Sequence, residues 1–185
     1  MAQKKILVDT NTYLRLAQTI HPLLFTPFGS EQCCLYILPE LNKELERSSL
    51  QNKFYWVAAQ EYVTNRQYFP EISKKQKKSI QTTYDYLWQH VQTDLPGPSR
   101  VDTLYVAYAI ELNIPVVTDD QDMTALAKDF DATVMPTLDL LKLMLDCGHI
   151  HLRKISGLFD YLKHQQDLPA NFKADCQRLF PELLS

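Results

Sequence analysis

The 185-residue chain reads as an α/β protein, a three-layer α/β/α arrangement with a mainly parallel central sheet and a C-terminal helical extension. Three observations lead there. Four short apolar runs, rich in β-branched residues, read as strands: "KILVD" (5–9), "CCLYIL" (33–38), "IPVVT" (114–118) and "ATVMP" (132–136). They are near-continuous and do not alternate, as expected of strands covered on both faces. Helical patterns lie between them, and strands alternating with helices favour a parallel sheet. Finally, 45% hydrophobic and 22% charged residues are ordinary for a globular protein, and the length suits one domain with a real core.

The helices follow in turn. "NTYLRLA" comes after the first run. "PELNKELERS" comes after the second, with Pro39 at the first helical position. One long helical stretch spans about 51–92, broken at Pro70. "SRVDTLYVAYAIEL" feeds the third run and has Ser99 and Asp102 at the spacing of a capping box. "QDMTALAKDF" lies between the third and fourth runs, with Asp120 or Asp122 as its cap. "TLDLLKLMLDCG" follows the fourth and stops at Gly148, a good C-terminal cap. Residues 151–185 read as two more short helices split near "DLPAN". The expected organisation is one domain over 1–150 with 151–185 packed on it as an extension.

Several classes are excluded or disfavoured. No apolar run reaches the roughly 18 residues of a membrane helix. The N-terminal "MAQKKILVDTNTY" has too short an apolar stretch before Asp9 for a signal peptide, so a cytoplasmic location is expected. Cys33 and Cys34 are adjacent, Cys147 and Cys176 isolated, and no CxxC spacing suggests zinc; reduced thiols are expected. With four Gly there is no Gly-rich phosphate loop. A net charge of −3 means that nucleic acid would have to be held locally or with the help of a metal.

The most informative stretch is "VVTDDQDM" (116–123), where three acids crowd the end of an apolar run. In an open parallel sheet, ligands bind outside the carboxyl ends of the strands. Asp9 closes the first strand and Asp120 follows the third, so both open onto one edge. Glu44 lies in the helix after the second strand, and Asp102 in the first turn of the helix feeding the third. Four carboxylates from four segments are costly together unless a cation neutralises them. Hard oxygen ligands without His or Cys suit Mg²⁺ or Mn²⁺. Simpler roles exist for each. Asp102 closes a capping box, Asp120 or Asp122 caps a helix, Asp119 is a solvated turn residue, and Glu44 is a surface acid like Glu40 and Glu46. If the acids crowd, at least one titrates above its usual value and Asp120→Asn raises the melting temperature without metal.

With these residues the chain resembles the PIN domain family. The matching pieces are the strand ending in Asp in "ILVDTNTYL", the Pro-led helix with Glu44–Leu45, the Asp opening "RVDTLYVAYAIELNIPVVT", and the turn with Thr118, Asp120 and Asp122. The resemblance covers about residues 4–136. It implies a metal-dependent ribonuclease in which Asp9, Glu44, Asp102 and Asp120 hold one or two Mg²⁺ or Mn²⁺ ions, with Asp122 as an accessory. It implies activated water as nucleophile, single-stranded RNA as substrate, and 5′-phosphate and 3′-hydroxyl products. Thr10, Asn11 and Thr118 are the polar residues expected to hold Asp9 or the phosphate.

Other assignments follow from the remaining features. "SKKQKKS" (73–79) is a solvated helix face or a phosphate contact, and Arg100 beside Asp102 is the better candidate to touch the substrate backbone. The aromatics of "KFYWVAAQEYVTNRQYF" read as core or as a subunit interface, which points to a homodimer. The family has toxin members that pair with antitoxins, which makes an antitoxin or other protein a candidate partner. The alternatives are a haloacid-dehalogenase-type phosphatase, from which Asn11 departs, and a PIN-like interaction or RNA-binding module without catalysis.

Overall fold

A computed structural model describes residues 3–46 and 48–183. Arg47, within the helical run expected after the second strand, and Leu184 and Ser185 of the tail lie outside the described residues. The elements are β1 (Lys4–Val8), α1 (Thr10–Leu16), β2 (Cys33–Tyr36), α2 (Glu40–Leu45), α3 (Ser48–Lys53), a 3₁₀ turn (Tyr55–Ala58), α4 (Gln60–Arg66), α5 (Lys74–Thr93) and α6 (Arg100–Leu112). Then come β3 (Val116–Val117), α7 (Gln121–Asp129), β4 (Val134–Met135), α8 (Thr137–Asp146), α9 (Leu152–Gln165), α10 (Phe172–Leu179) and a last 3₁₀ turn (Pro181–Leu183).

All four strands are parallel, in the order β2-β1-β3-β4. Successive side chains of a strand point to opposite faces, and both faces here are apolar. Ile6, Val8, Leu35 and Val117 enter one core with Leu14 and Leu16 of α1, Leu141 and Met144 of α8, and Leu158 and Leu162 of α9. Leu7, Cys34, Tyr36 and Val116 enter the other with Leu87 of α5, Val106 of α6 and Leu126 of α7. The result is the three-layer α/β/α fold. Truncating a fully buried side chain such as Leu7 to Ala is expected to cost about 2–5 kcal/mol. Cys176 of α10 and Phe180 join the α1–α8–α9 core, so the C-terminal helices pack on the same body as the sheet. Among the described residues no helix is long and apolar enough to cross a membrane.

The third and fourth strands are two residues each, shorter than the five-residue runs that suggest them. Pro115 and Pro136 flank them and have no N–H to extend a ladder. Pairing nevertheless continues through Leu7 N to Pro115 O at 2.9 Å and Thr118 N to Met135 O at 3.0 Å. The stretch 51–92 is not one helix with a single break. Phe54 leaves helical geometry at φ −125°, ψ 65°, and Ala59 is extended, so that Trp56 and Val57 can bury between α3 and α4. Helix α5 begins only after Ser73, whose side chain and that of Gln76 form a capping box. Pro39 stands at the N-cap of α2, one position before the first helical residue. Gly148, at φ +70°, ends α8: Gly148 N donates to Leu145 O and His149 N to Met144 O, both at 2.9 Å. This is the Schellman pattern.

From β1 the chain passes to β2 on one side and later to β3 on the other. The strand order therefore reverses between β1 and β3, the point beyond whose carboxyl ends open parallel sheets bind ligands.

Candidate active site at the carboxyl edge of the sheet

Asp9 follows β1 directly and caps α1: its Oδ1 accepts from Thr12 N at 2.6 Å. Its Oδ2 accepts from Thr118 Oγ1 at 2.5 Å. Only 3% of the residue is exposed. Burial pushes the Asp9 carboxyl up to about 6, the bonds from Thr118 and Thr12 pull it down, and the charge of Asp119 adds a smaller upward push. One acid of the crowded set is thus raised, as expected, but it is Asp9, and burial is the leading cause.

Thr118 also accepts from Asp120 N at 3.0 Å, so one hydroxyl clamps the ends of β1 and β3 together. At 2% exposure it holds Asp9, one of the two roles expected of it, and its hydroxyl is engaged by both Asp9 and Asp120. Asp120 is the cap of α7, accepting from Met123 N at 2.8 Å. Asp102 shares a capping box with Ser99: Ser99 N donates to Asp102 Oδ2 at 2.8 Å, and Asp102 N to Ser99 Oγ at 3.1 Å. Glu44 is half-buried on α2, and its Oε2 accepts from Thr10 Oγ1 at 3.2 Å. Thr10 therefore steadies Glu44, where it was expected to steady Asp9 or a phosphate. Asn11, next to it, is exposed.

Tyr105 senses two of these acids, Asp9 and Glu44. It is fully buried on α6, one turn after Asp102, and its hydroxyl accepts from Leu38 N at 3.3 Å. Burial raises its pKa first, and Asp9, Glu44 and Glu40 all add to the rise. Carboxylates from the end of β1 and from α2 thus act on one phenol beneath the edge. The caps of Asp102 and Asp120 engage one carboxylate oxygen each, and the contact to Thr10 engages one oxygen of Glu44. Their second oxygens make no hydrogen bond among the described residues. Even so, no three of the His, Cys, Asp and Glu side chains among the described residues lie close enough to hold a metal ion together. The four acids share an edge without sharing a coordination sphere. Their chemistry, hard oxygen donors only, is that of Mg²⁺ or Mn²⁺ ligands.

Asp122 stands apart. It is exposed, and its carboxyl group lies against Gly97 of the loop before α6. A Cβ on Gly97 would come within 2.7 Å of Asp122 Cγ, and φ +155° also disfavours any side chain there. Arg100 is exposed, with its guanidinium 5.4 Å from the centre of the Trp88 ring. Lys74, Lys75, Lys77 and Lys78 are exposed. Of the aromatics in 53–69, Trp56 and Tyr62 are core, whereas Tyr55 and Tyr68 are exposed.

Asp119 is not the solvated turn residue that its neighbours suggest. Its Oδ1 accepts from Thr137 N at 3.0 Å, and its Oδ2 from Thr137 Oγ1 at 2.5 Å and from Arg15 Nη1 at 3.0 Å. Arg15 Nη2 reaches Asp167 of the C-terminal extension at 2.8 Å. Burial alone would lower the Arg15 pKa, but its bonds to Asp167 and the charges of Asp119 and Asp9 outweigh that and keep it charged. Arg15, Thr137 and Asp167 are missing from the expected site. The one local signal was an Arg inside the apolar "TYLRLA", where Tyr13, Leu14 and Leu16 are all buried.

Comparisons with protein-family models, curated proteins and solved structures find no match.

Proposed function

We propose that the chain is a Mg²⁺- or Mn²⁺-dependent endoribonuclease that hydrolyses phosphodiester bonds in single-stranded RNA. One observation carries the reading. Asp9, Glu44, Asp102 and Asp120 come from four separate elements to the carboxyl edge of a parallel sheet, at the reversal of strand order. Those four side chains are the ones that would hold the cation, which would have to draw them closer together than they stand here. When bound, a divalent ion there supplies a more acidic water and offsets charge on the phosphoryl oxygens. The chain's own part is positioning. Thr118 fixes Asp9 and the start of α7 in one contact, and the capping box fixes Asp102. No side-chain nucleophile is required. The acidic edge repels RNA, so its backbone needs cations nearby, and exposed Arg100 beside Asp102 and the exposed lysines at the start of α5 are candidates.

The test is cleavage of an end-labelled single-stranded RNA in Mn²⁺ and in EDTA. Cleavage is expected in Mn²⁺ alone, and Asp9→Asn is expected to abolish it with an unchanged circular dichroism spectrum. An Asn variant that cuts as fast as the parent puts the site elsewhere.

A further inference from the structure

Arg66 ends α4 in the interior of the fold, with 8% of the residue exposed. Tyr62, one turn earlier, is buried as well, and Asn65 fastens the helix by accepting from Leu24 N at 3.2 Å and donating to Leu24 O at 2.8 Å. The Arg66 guanidinium has two hydrogen-bond partners. Nε donates to Asn42 Oδ1 and Nη1 to the Tyr13 hydroxyl, both at 3.2 Å, and the Tyr13 ring centre lies 5.9 Å from Arg66 Cζ. Both partners are neutral. Arg15 has Asp119 and Asp167 for its charge, whereas no carboxylate among the described residues pairs with Arg66. Its Nη2 makes no hydrogen bond among them and is not sealed from solvent. A buried charge is costly unless it is paired, so Arg66 calls for a counter-ion.

Arg66 lines a cavity of about 320 Å³ between α2, α3, the first 3₁₀ turn and α4. That is at the lower end of the roughly 300–1,000 Å³ of small-molecule sites. Asn42 lines it from α2 and Gln51 from α3, and neither side-chain NH₂ donates to any described residue. The Asn42 oxygen is taken by Arg66, so its NH₂ is the group left to offer. Leu45, Val57 and Val63 supply an apolar wall.

We propose that this cavity binds a small monocarboxylate with an apolar body, the carboxylate on Arg66 and the body against Leu45, Val57 and Val63. The planar guanidinium matches a planar carboxylate, and the two amides add donors. The charges of the lining set the valence. Arg66 is the one cation among the described lining residues, and Glu46 lines the cavity as an exposed acid. A dianion such as phosphate meets one attraction and one repulsion there, whereas a single negative charge is what Arg66 lacks. Two sources share this chemistry: a plain carboxylic acid, and an α-amino acid whose ammonium group finds Glu46. The inference is independent of the ribonuclease reading, because none of Asp9, Glu44, Asp102 and Asp120 lines the cavity.

Binding is tested on the full chain in EDTA by calorimetric titration with isocaproate, with leucine, which is isocaproate carrying an α-ammonium group, with the neutral amide of isocaproate, and with inorganic phosphate. The tighter of the two carboxylates is expected to bind at least about tenfold more tightly than the amide or phosphate. Arg66→Gln, with an unchanged circular dichroism spectrum, is expected to erase that preference. Because Arg66 is buried, a second variant leaves it in place: Ala58 lines the cavity and is exposed, and Ala58→Phe is expected to weaken the same carboxylate at least about tenfold with the ligand-free melting temperature unchanged. Leucine as the tighter ligand assigns an amino acid, with Glu46→Gln expected to remove its margin; isocaproate as tight or tighter assigns a plain acid. No carboxylate bound by the parent, an amide or phosphate bound as tightly, a preference that survives Arg66→Gln, or binding untouched by Ala58→Phe overturns the proposal.

Discussion

Arg15 and Asp119 on the β3 flank of the sheet edge satisfy each other, whereas Glu40 and Lys77 on the α2 flank line one cavity without pairing. On the first flank, Thr12, Thr137 and Asp167 complete a network that ties α1, the end of β3, α8 and the C-terminal extension, in which Arg15 Nε finds no acceptor among the described residues. On the second, four lysines crowd the start of α5, and none pairs with a carboxylate among the described residues. A closed network holds a fold in one arrangement. A buried acceptor without a donor, such as Glu40 Oε2, lowers stability, whereas the exposed lysines stay open to water and to a partner outside the chain. The two flanks should therefore respond in opposite ways to the loss of a charge.

The largest effect is expected on the closed flank. Arg15→Ala leaves Asp119 without its cation at a site where the two side chains are 13% and 11% exposed. Breaking a buried pair in this way costs about 3–5 kcal/mol. In a chain of this size that lowers the melting temperature by roughly 6–20 °C. Asp167→Ala removes only the outer partner, 42% exposed, and is expected to cost less than about 1 kcal/mol. Glu40→Gln on the open flank should change stability by under about 0.5 kcal/mol or raise it. Urea unfolding of the three variants checks the ranking, and a Glu40→Gln cost equal to that of Arg15→Ala breaks the comparison.

Asp9 lies between the flanks, satisfied by hydrogen bonds yet buried as a charge. In the folded protein it holds its proton to about pH 6, whereas an unfolded Asp releases it near 3.9. Between those values the folded state binds more protons. Stability therefore falls as pH rises from about 4 to 6, and the loss, about 3 kcal/mol, persists above pH 6. Asp9→Asn removes this cost. Its stability curve in EDTA is expected to meet that of the parent below pH 4 and to lie above it at pH 7. Mn²⁺ is expected to stabilise the parent and to stabilise the variant less. Asp120→Asn, which at first sight is the substitution to raise the melting temperature, is expected to be near neutral, because Asn caps α7 about as well as Asp does. Parallel curves for Asp9→Asn and the parent from pH 4 to 7 would show that the buried charge has no such cost.

Much of this was legible because it is local. Ile6, Leu7 and Val8 form an apolar run that only a two-faced strand explains, and Ser99 and Asp102 cap α6 from three residues apart. Asp9 and Asp120 could be set on one edge because strand ends in a parallel sheet share an edge. The Arg15 network was hidden because its partners are 104 and 152 positions away. The region around Trp56 misled because burial of Trp56 and Tyr62 overrides an otherwise helical pattern. Glu40, Glu44 and Glu46 look alike in sequence. What α5 and α6 bring against α2 leaves Glu40 half-buried, Thr10 of α1 meets Glu44, which is also half-buried, and Glu46 stays in solvent.

The smallest effect sharpens the open flank. Lys75 is exposed in the first turn of α5, where the helix dipole favours an anion over a cation. Lys75→Glu is therefore expected to stabilise the fold by about 0.5–1 kcal/mol at low ionic strength. The gain should shrink as salt screens it. If the lysines serve RNA, the same substitution works against binding. Single-stranded RNA should bind more weakly, and the slope of log affinity against log salt should flatten by about one or more, since a phosphate contact becomes a repulsion. A lysine kept only for solubility predicts the stability gain alone. Thermal melts at two salt concentrations and RNA titrations across the same range separate these outcomes. A Lys75→Glu variant that is more stable and binds RNA with the parent's salt slope would reduce the run at 74–78 to a solvated helix end. A variant that gains stability while losing RNA would show that α5 begins with a sequence poor for the helix because its partner is a phosphate backbone.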